Sequence, residues 1–223
     1  MPLILNIETS TTLCSVALAE AGKVISVKEI NEGYTHAENL HVFIEEVLSK
    51  AGKSVKDLHA IAVGSGPGSY TGLRIGVSAA KGLAYALKIP LISVNTLQIM
   101  TAVAIHKEKS DVLFCPMLDA RRMEVYTAVF DSQLNTVKET AAKILPDDLS
   151  FFELDKPVCF FGDGMIKCKG VLQHLPQSSF LDDVVPLSSA LAALSHKKLG
   201  ASQFEDVAYF EPFYLKDFLI KKP

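Results

Sequence analysis

Val63-Gly64-Ser65-Gly66-Pro67-Gly68-Ser69-Tyr70-Thr71-Gly72-Leu73-Arg74-Ile75-Gly76 is the stretch that decides how the rest of the chain is read. The apolar run 58–63 leads into it and reads as a buried strand. A helix rich in small residues, 71–87, leads out of it, and 91–94 reads as a second buried strand. Strand, glycine turn, helix and strand make a βαβ unit, whose turn lies at the sheet end where such folds present their sites. Glycines in such a turn supply positive φ or admit a second backbone, and Pro67 stiffens it by fixing φ and removing an N–H. Two phosphate-binding patterns fail here. A P-loop needs Lys and then Ser or Thr after its last glycine, but Leu73 and Arg74 follow Gly72. The dinucleotide fingerprint is broken because Ser69 stands at its third position and Gly68 interrupts the spacing. The glycine motif therefore comprises Gly64, Gly66, Pro67, Gly68, Ser69, Thr71 and Gly72. Its local pattern leaves two readings open, a binding turn or a turn that lets helix and strand pack closely.

A chain of 223 residues is long enough for one domain or two small ones with an ample core. Its hydrophobic fraction is 49%, yet no apolar run approaches the ~20 residues of a membrane span. A net charge of −3 argues against an autonomous nucleic-acid binder, so any RNA contact is expected only within a complex. The four cysteines, Cys14, Cys115, Cys159 and Cys168, form no CxxC and read as reduced packing residues. Met1-Pro2-Leu3 runs straight into a strand with no basic start or cleavage site, so no signal peptide is expected. Cytoplasm is the expected compartment, with no membrane contact.

Going outward from the glycine motif, 3–7 is an apolar strand ending at Glu8-Thr9-Ser10. A second strand, 14–18, the turn Ala21-Gly22 and a third strand, 24–30, follow. Thr35-His36-Ala37-Glu38 has the form of a capping box. Leu40, Phe43, Ile44, Val47, Leu48 and Ala51 then recur at helical spacing up to Gly52. With the βαβ unit, the order is βββαβαβ, which resembles the repeating half of the actin-like ATPase and sugar-kinase superfamily. In that superfamily the first hairpin carries a phosphate loop with an acid near its start. Glu8-Thr9-Ser10 occupies the place without a glycine, and its hydroxyls either bind an oxyanion or cap the hairpin.

The second half repeats the pattern: strands at 112–118, 124–130, 134–142 and 157–161, then the turn Gly162-Asp163-Gly164. Helices are expected at 165–175 and 186–199. The first of these strands ends in Asp119-Ala120-Arg121-Arg122, an anion site, a partner contact or a solvated charge cluster. A duplicated α/β fold with a cleft between two lobes is the expected architecture. Its N-terminal lobe spans 1–106 and carries the glycine motif. The smaller C-terminal lobe spans 107–223, with a tail that packs back on the first. Together Glu8, Thr9, Ser10, Asp119 and Arg121 form a candidate vestigial anion site.

The residues point away from an independent enzyme. His36 and His41 are five apart, about 140° around a helix, and make no metal pair of the i, i+4 kind. Ser65 and Ser69 have no histidine or acid placed in sequence to suggest a triad. An autonomous kinase would need a nucleotide-gripping loop in each half, and neither hairpin supplies one convincingly.

The string Ser65 to Gly76 resembles the signature of the bacterial TsaB family, the partner subunit in synthesis of threonylcarbamoyladenosine on tRNA. The likeness continues through Leu5-Asn6-Ile7-Glu8-Thr9-Ser10 and His36-Ala37-Glu38-Asn39-Leu40. It reaches Asp119-Ala120-Arg121-Arg122-Met123-Glu124-Val125-Tyr126, with Met123 where the family commonly has glycine, and Glu211-Pro212-Phe213-Tyr214-Leu215-Lys216. The resemblance implies the two-lobed actin-like, ribonuclease H-like fold and a non-catalytic scaffold role beside the catalytic relative TsaD, joined by the ATPase TsaE. TsaD carries a His-xxx-His metal pair; at the corresponding place this chain has Thr96 and Met100, which cannot replace two imidazoles. No metal and no cofactor of the chain alone are expected, with a nucleotide only at a complex interface. Family members pair through two N-lobe helices as a four-helix bundle, here about 36–50 and 71–87. This makes His36, Leu40, Phe43, Tyr70, Leu73, Arg74, Val77 and Lys81 the candidate interface with TsaD, or with a second copy when the chain is alone. The alternatives are an ATP-binding ATPase or kinase of this fold, or a metalloprotease-like relative.

Overall fold

The computed structural model describes residues 1–33 and 35–215. The apolar runs read as strands become two five-stranded mixed sheets built alike. In the first, β1 (Leu3–Glu8), β2 (Cys14–Glu20) and β3 (Lys23–Ile30) form an antiparallel meander, and β4 (Ala60–Gly66) and β5 (Leu91–Asn95) add in parallel, giving the order β3-β2-β1-β4-β5. Ala21 and Gly22, both at positive φ, make the two-residue turn that suits the right-handed twist of a hairpin. In the second sheet β6 (Leu113–Asp119), β7 (Glu124–Phe130), β8 (Thr136–Ile144), β9 (Val158–Phe161) and β10 (Ser178–Leu181) repeat that arrangement as β10-β9-β6-β7-β8. The duplicated α/β fold is thus present in both halves.

Each sheet is covered on two faces. Leu3, Leu5 and Ile7 point to α1 (His36–Lys50) and α2 (Tyr70–Leu87), packing with Leu40, Phe43, Ile44, Val47 and Val77. Ile4, Ala60, Ala62, Ile92 and Val94 point the other way, toward Ile99 of α3 (Thr96–Lys107) and Leu191 of α5 (Ser188–Gly200). In the second sheet Leu113, Cys115 and Met117 pack with Met165, Cys168 and Leu172 of α4 (Asp163–Leu172), while Phe114 and Leu118 meet Leu97, Met100 and Ala104 of α3. α3 therefore lies between the lobes, and α5 returns from the second half to cover the first sheet.

Several expectations are corrected. The capping box at Thr35 does not form: its ψ of 18° is not the extended value of a side-chain cap, and its carbonyl instead accepts from the Glu38 and Asn39 N–H groups. The other end of α1 closes as expected, with Gly52 at positive φ and Lys53 N–H bonded to Leu48 O. The sequence pattern signals no helix where α3 stands. In the place that α1 takes in the first half, the second has only a 3-10 turn, Leu149–Phe152. The last helix begins at Ser188, two residues later than the pattern indicates.

Candidate functional site: the glycine motif, the first hairpin and the helix pair

β4 runs out at Gly66, where its register with β5 shifts between Gly64 and Gly66 and the Gly66–Pro67 peptide is cis. Ser69 caps α2, its hydroxyl accepting the Gly72 N–H at 3.3 Å. The glycines are needed because the loop after β1 lies directly on them. A Cβ at Gly64 would collide with the Glu8 carboxylate, at Gly68 with the Ser10 carbonyl, at Gly72 with the Thr9 carbonyl, and at Gly76 with the Thr9 hydroxyl, each far inside the 3.0 Å that real Cβ contacts respect. Hydrogen bonds fix the same arrangement. The Ser69 N–H donates to Ser10 O at 2.7 Å and the Thr9 hydroxyl to Gly72 O at 2.8 Å. The close-packing reading of the motif is the one this geometry supports, and the small face of α2 is occupied by the chain's own hairpin.

Glu8, Thr9 and Ser10 are consequently buried. Glu8 Oε1 accepts the Ser10 N–H at 2.7 Å, while Oε2 has no hydrogen-bond partner. Burial pushes the Glu8 carboxyl above its ordinary range, against the opposing pull of the Ser10 hydrogen bonds. The structure gathers these three residues with Gly64, Gly68 and Gly72, and leaves Asp119 and Arg121 at the equivalent strand end of the other sheet. There Lys167 Nζ meets Asp119 Oδ1 at 2.5 Å and the Arg121 N–H donates to it at 2.7 Å. Burial raises Asp119, but the Lys167 and Arg121 hydrogen bonds outweigh it and hold the carboxyl below the usual range. Neighbouring Asp163, which accepts the Asp119 N–H, is pushed up by its own burial. Glu8, Thr9 and Ser10 are enclosed, whereas Asp119 and Arg121 are exposed.

The candidate interface is also redrawn. His36, Leu40, Phe43, Leu73 and Val77 are buried, so they are not available on the surface; Leu40, Phe43 and Val77 belong to the core between helices and sheet. Their apolar spacing marks the inward stripe of each helix. His36 Nε2 lies 2.7 Å from Thr11 O. Arg74 is exposed and Tyr70 half-buried: the Arg74 guanidinium sits 4.9 Å from the Tyr70 ring, which is 5.1 Å from Tyr214. Lys81 is engaged, donating to the carbonyls of Ala208 and Phe210. The face the helices leave open includes His41, Val42 and Glu45 on α1 and Arg74, Ser78, Gly82, Tyr85 and Ala86 on α2.

Thr96 and Met100 both lie on α3 and are buried, Met100 in the apolar layer between the lobes. Among the described residues no group of three or more His, Cys, Asp and Glu is placed to hold a metal ion, and no helix is long and apolar enough to cross a membrane. The segment after α5 carries no chemical signal in the sequence beyond its family likeness, and its Lys216 lies outside the described residues. Structurally it reaches the site: Phe213 N–H donates to Ser65 O at 2.7 Å.

A two-lobed α/β chain with this topology and a glycine motif of this shape matches the family model described as TsaD, tRNA N6-adenosine threonylcarbamoyltransferase, over residues 32–217. The fold is that of the actin-like ATPases and sugar kinases. At 9% identity and a TM-score of 0.52, the dehydratase activator of Clostridium difficile, solved with ADPNP, shares the fold alone over 90% of this chain and 97% of its own. Within that class the chain belongs to the TsaB family. It is 32% identical to the tRNA threonylcarbamoyladenosine biosynthesis protein TsaB of Bacillus subtilis over 96% of this chain and 93% of that one. It is 37% identical to the Escherichia coli TsaB over 65% of this chain, a match spanning 63% of that relative's length. The structure of YeaZ from Pseudomonas aeruginosa superposes with a TM-score of 0.80 at 26% identity, covering 96% of this chain and 100% of the other.

Proposed function

We propose that the chain works in tRNA threonylcarbamoyladenosine biosynthesis as a non-catalytic subunit that docks on the catalytic TsaD and stabilises it, with TsaE joining the assembly. The observation that carries the reading is the open face of α1 and α2. Ser78, Gly82 and Ala86 make a low, small-residue ridge on α2 flanked by exposed Val42 and Tyr85, a surface on which a second helix pair can approach closely. On this reading the chain works in the cytoplasm, tRNA is met only through the complex, and a nucleotide lodges only at the complex interface. When TsaD is absent, the same face pairs two copies of the chain.

The competing reading, an ATPase or kinase of this fold, is disfavoured by the first hairpin. Its Glu8 carboxyl is turned inward beneath Gly64, and the loop that would grip phosphates is filled by the glycine motif. Light scattering of the chain alone and mixed with TsaD from the same source tests the proposal. A heterodimer lost on Ser78→Arg or Gly82→Arg, with thermal stability no lower than the parent's, is the expected result. No association at micromolar concentration would remove the reading, and nucleotide binding by the lone chain would then favour its competitor.

A further inference from the structure

The two edges of the first sheet are protected by different means. At the β3 edge, exposed Val24, Ile25 and Val27 are guarded by a bulge and by Lys28. The β5 edge is covered by chain from the far terminus: after α5, residues 203–214 cross it, run along α2 and end on the glycine motif. Glu205 makes an antiparallel bridge with Leu91, its N–H bonded to Leu91 O at 2.9 Å. Its carboxylate accepts the Ser93 hydroxyl at 2.5 Å, and Lys198 Nζ donates to Ser93 O at 2.6 Å. Midway, Lys81 holds the carbonyls of Ala208 and Phe210, and at the end Phe213 bonds to Ser65.

The segment that seals these elements is itself shallow. No residue from 201 to 215 is buried, and only Val207 and Phe210 pack on the core, whereas Leu91, Ile92 and Val94 beneath it are fully enclosed. Segments with few buried contacts open at lower cost than the core they cover. Ser202, at positive φ just past the end of α5, marks where the chain turns away.

We propose that residues 205–214 are a releasable strap that opens and closes as one unit, fastened by the Glu205–Ser93–Lys198 clasp. Opening bares the β5 edge and at the same time withdraws Phe213 from Ser65, so the state of the edge is coupled to the glycine motif at the other end. Strand edges freed in this way accept an added strand.

Native-state hydrogen exchange of the full chain tests the coupling. The Glu205 and Phe213 amides should exchange at one common rate, well ahead of the β1 and β4 amides. Glu205→Gln should raise both rates by the same factor, roughly tenfold for a weakened hydrogen bond to a charged group. Chymotryptic cleavage at exposed Tyr209 should rise in step. A change confined to Glu205, or none at either amide, would overturn the proposal. If β1 amides also accelerate, the variant has loosened the fold. Lys81→Met, which loosens the middle of the strap, is then judged by the same criterion of equal acceleration at both ends.

Discussion

Alanine at Gly72 and alanine at Gly82 should shift stability in opposite directions, although both positions lie inside α2. At Gly72 the new Cβ would overlap the carbonyl of buried Thr9, a backbone atom that cannot swing aside as a side-chain tip would. Forcing that loop away costs about 1–3 kcal/mol as overpacking. It also parts the Thr9 hydroxyl from Gly72 O, leaving a buried polar group unmet at a further cost of about 1–3 kcal/mol. The gain in helix propensity, about 1 kcal/mol, offsets only part of this. A net loss of roughly 1–5 kcal/mol lowers the Tm by roughly 2–20 °C for a chain of this size. At Gly82 an added Cβ would meet nothing within 4 Å and would face solvent, so only the propensity gain remains and Tm rises by roughly 2–4 °C. Thermal unfolding followed by circular dichroism in the far ultraviolet, with urea midpoints as a second readout, measures both. A Gly72→Ala protein as stable as the parent would refute the claim that the hairpin rests on the glycine motif.

Three further outcomes rest on the same packing. Because burial raises the folded-state pKa of Glu8, the native protein binds a proton that the unfolded chain has lost, so stability falls as pH climbs from the ordinary carboxyl value of 4.5 through the folded pKa. The difference in urea midpoint between Glu8→Gln and the parent should therefore move in the variant's favour from about pH 4.5 to about pH 7.5, and a constant difference would contradict it. Arg122 sits at φ 49° beside Arg121 at φ 70°, so Arg122→Gly should gain about 0.5–1 kcal/mol in urea unfolding by removing a left-handed side chain. Burial pushes the Cys115 thiol up to about 12 and those of Cys14 and Cys159 to about 11, so Ellman's reagent at about pH 8 should leave all three unlabelled until denaturant is added.

Much of the first half was legible because its helices have one wet side and its strands are bounded by clear turns. The apolar runs of β1 and β2 and the spacing of Leu40, Phe43 and Val47 report this directly. α3 was not legible for the opposite reason: Leu97, Met100 and Ala104 face one sheet while Ile99 faces the other, so no polar stripe betrays a helix. The small residues of α2 were visible, but what they accommodate was not. Their spacing suggests a neighbouring helix, whereas the occupant of Gly72 and Gly76 is Thr9, about sixty residues earlier in sequence. The same ignorance of long-range contacts puts Leu73 and Val77 on a partner surface when both are buried. Thr35 and Glu38 carry the right letters for a cap, but a cap depends on the backbone angle, which those letters do not set.

The way the two halves end has a bearing on how such a chain arose. α3 closes the first half and packs on β6 and β7 as well as on its own β4 and β5, and α5 closes the second half but packs across on β1 and β2. Each repeat thus lends its final helix across the molecule. A half-length ancestor built like this would be a poor monomer, since its own sheet would be only partly covered on one side. Two copies trading their last helices would satisfy both, and a single linker where 108–112 now runs would join them without disturbing either core. Cutting the present chain there should yield fragments that are recovered folded only when produced together.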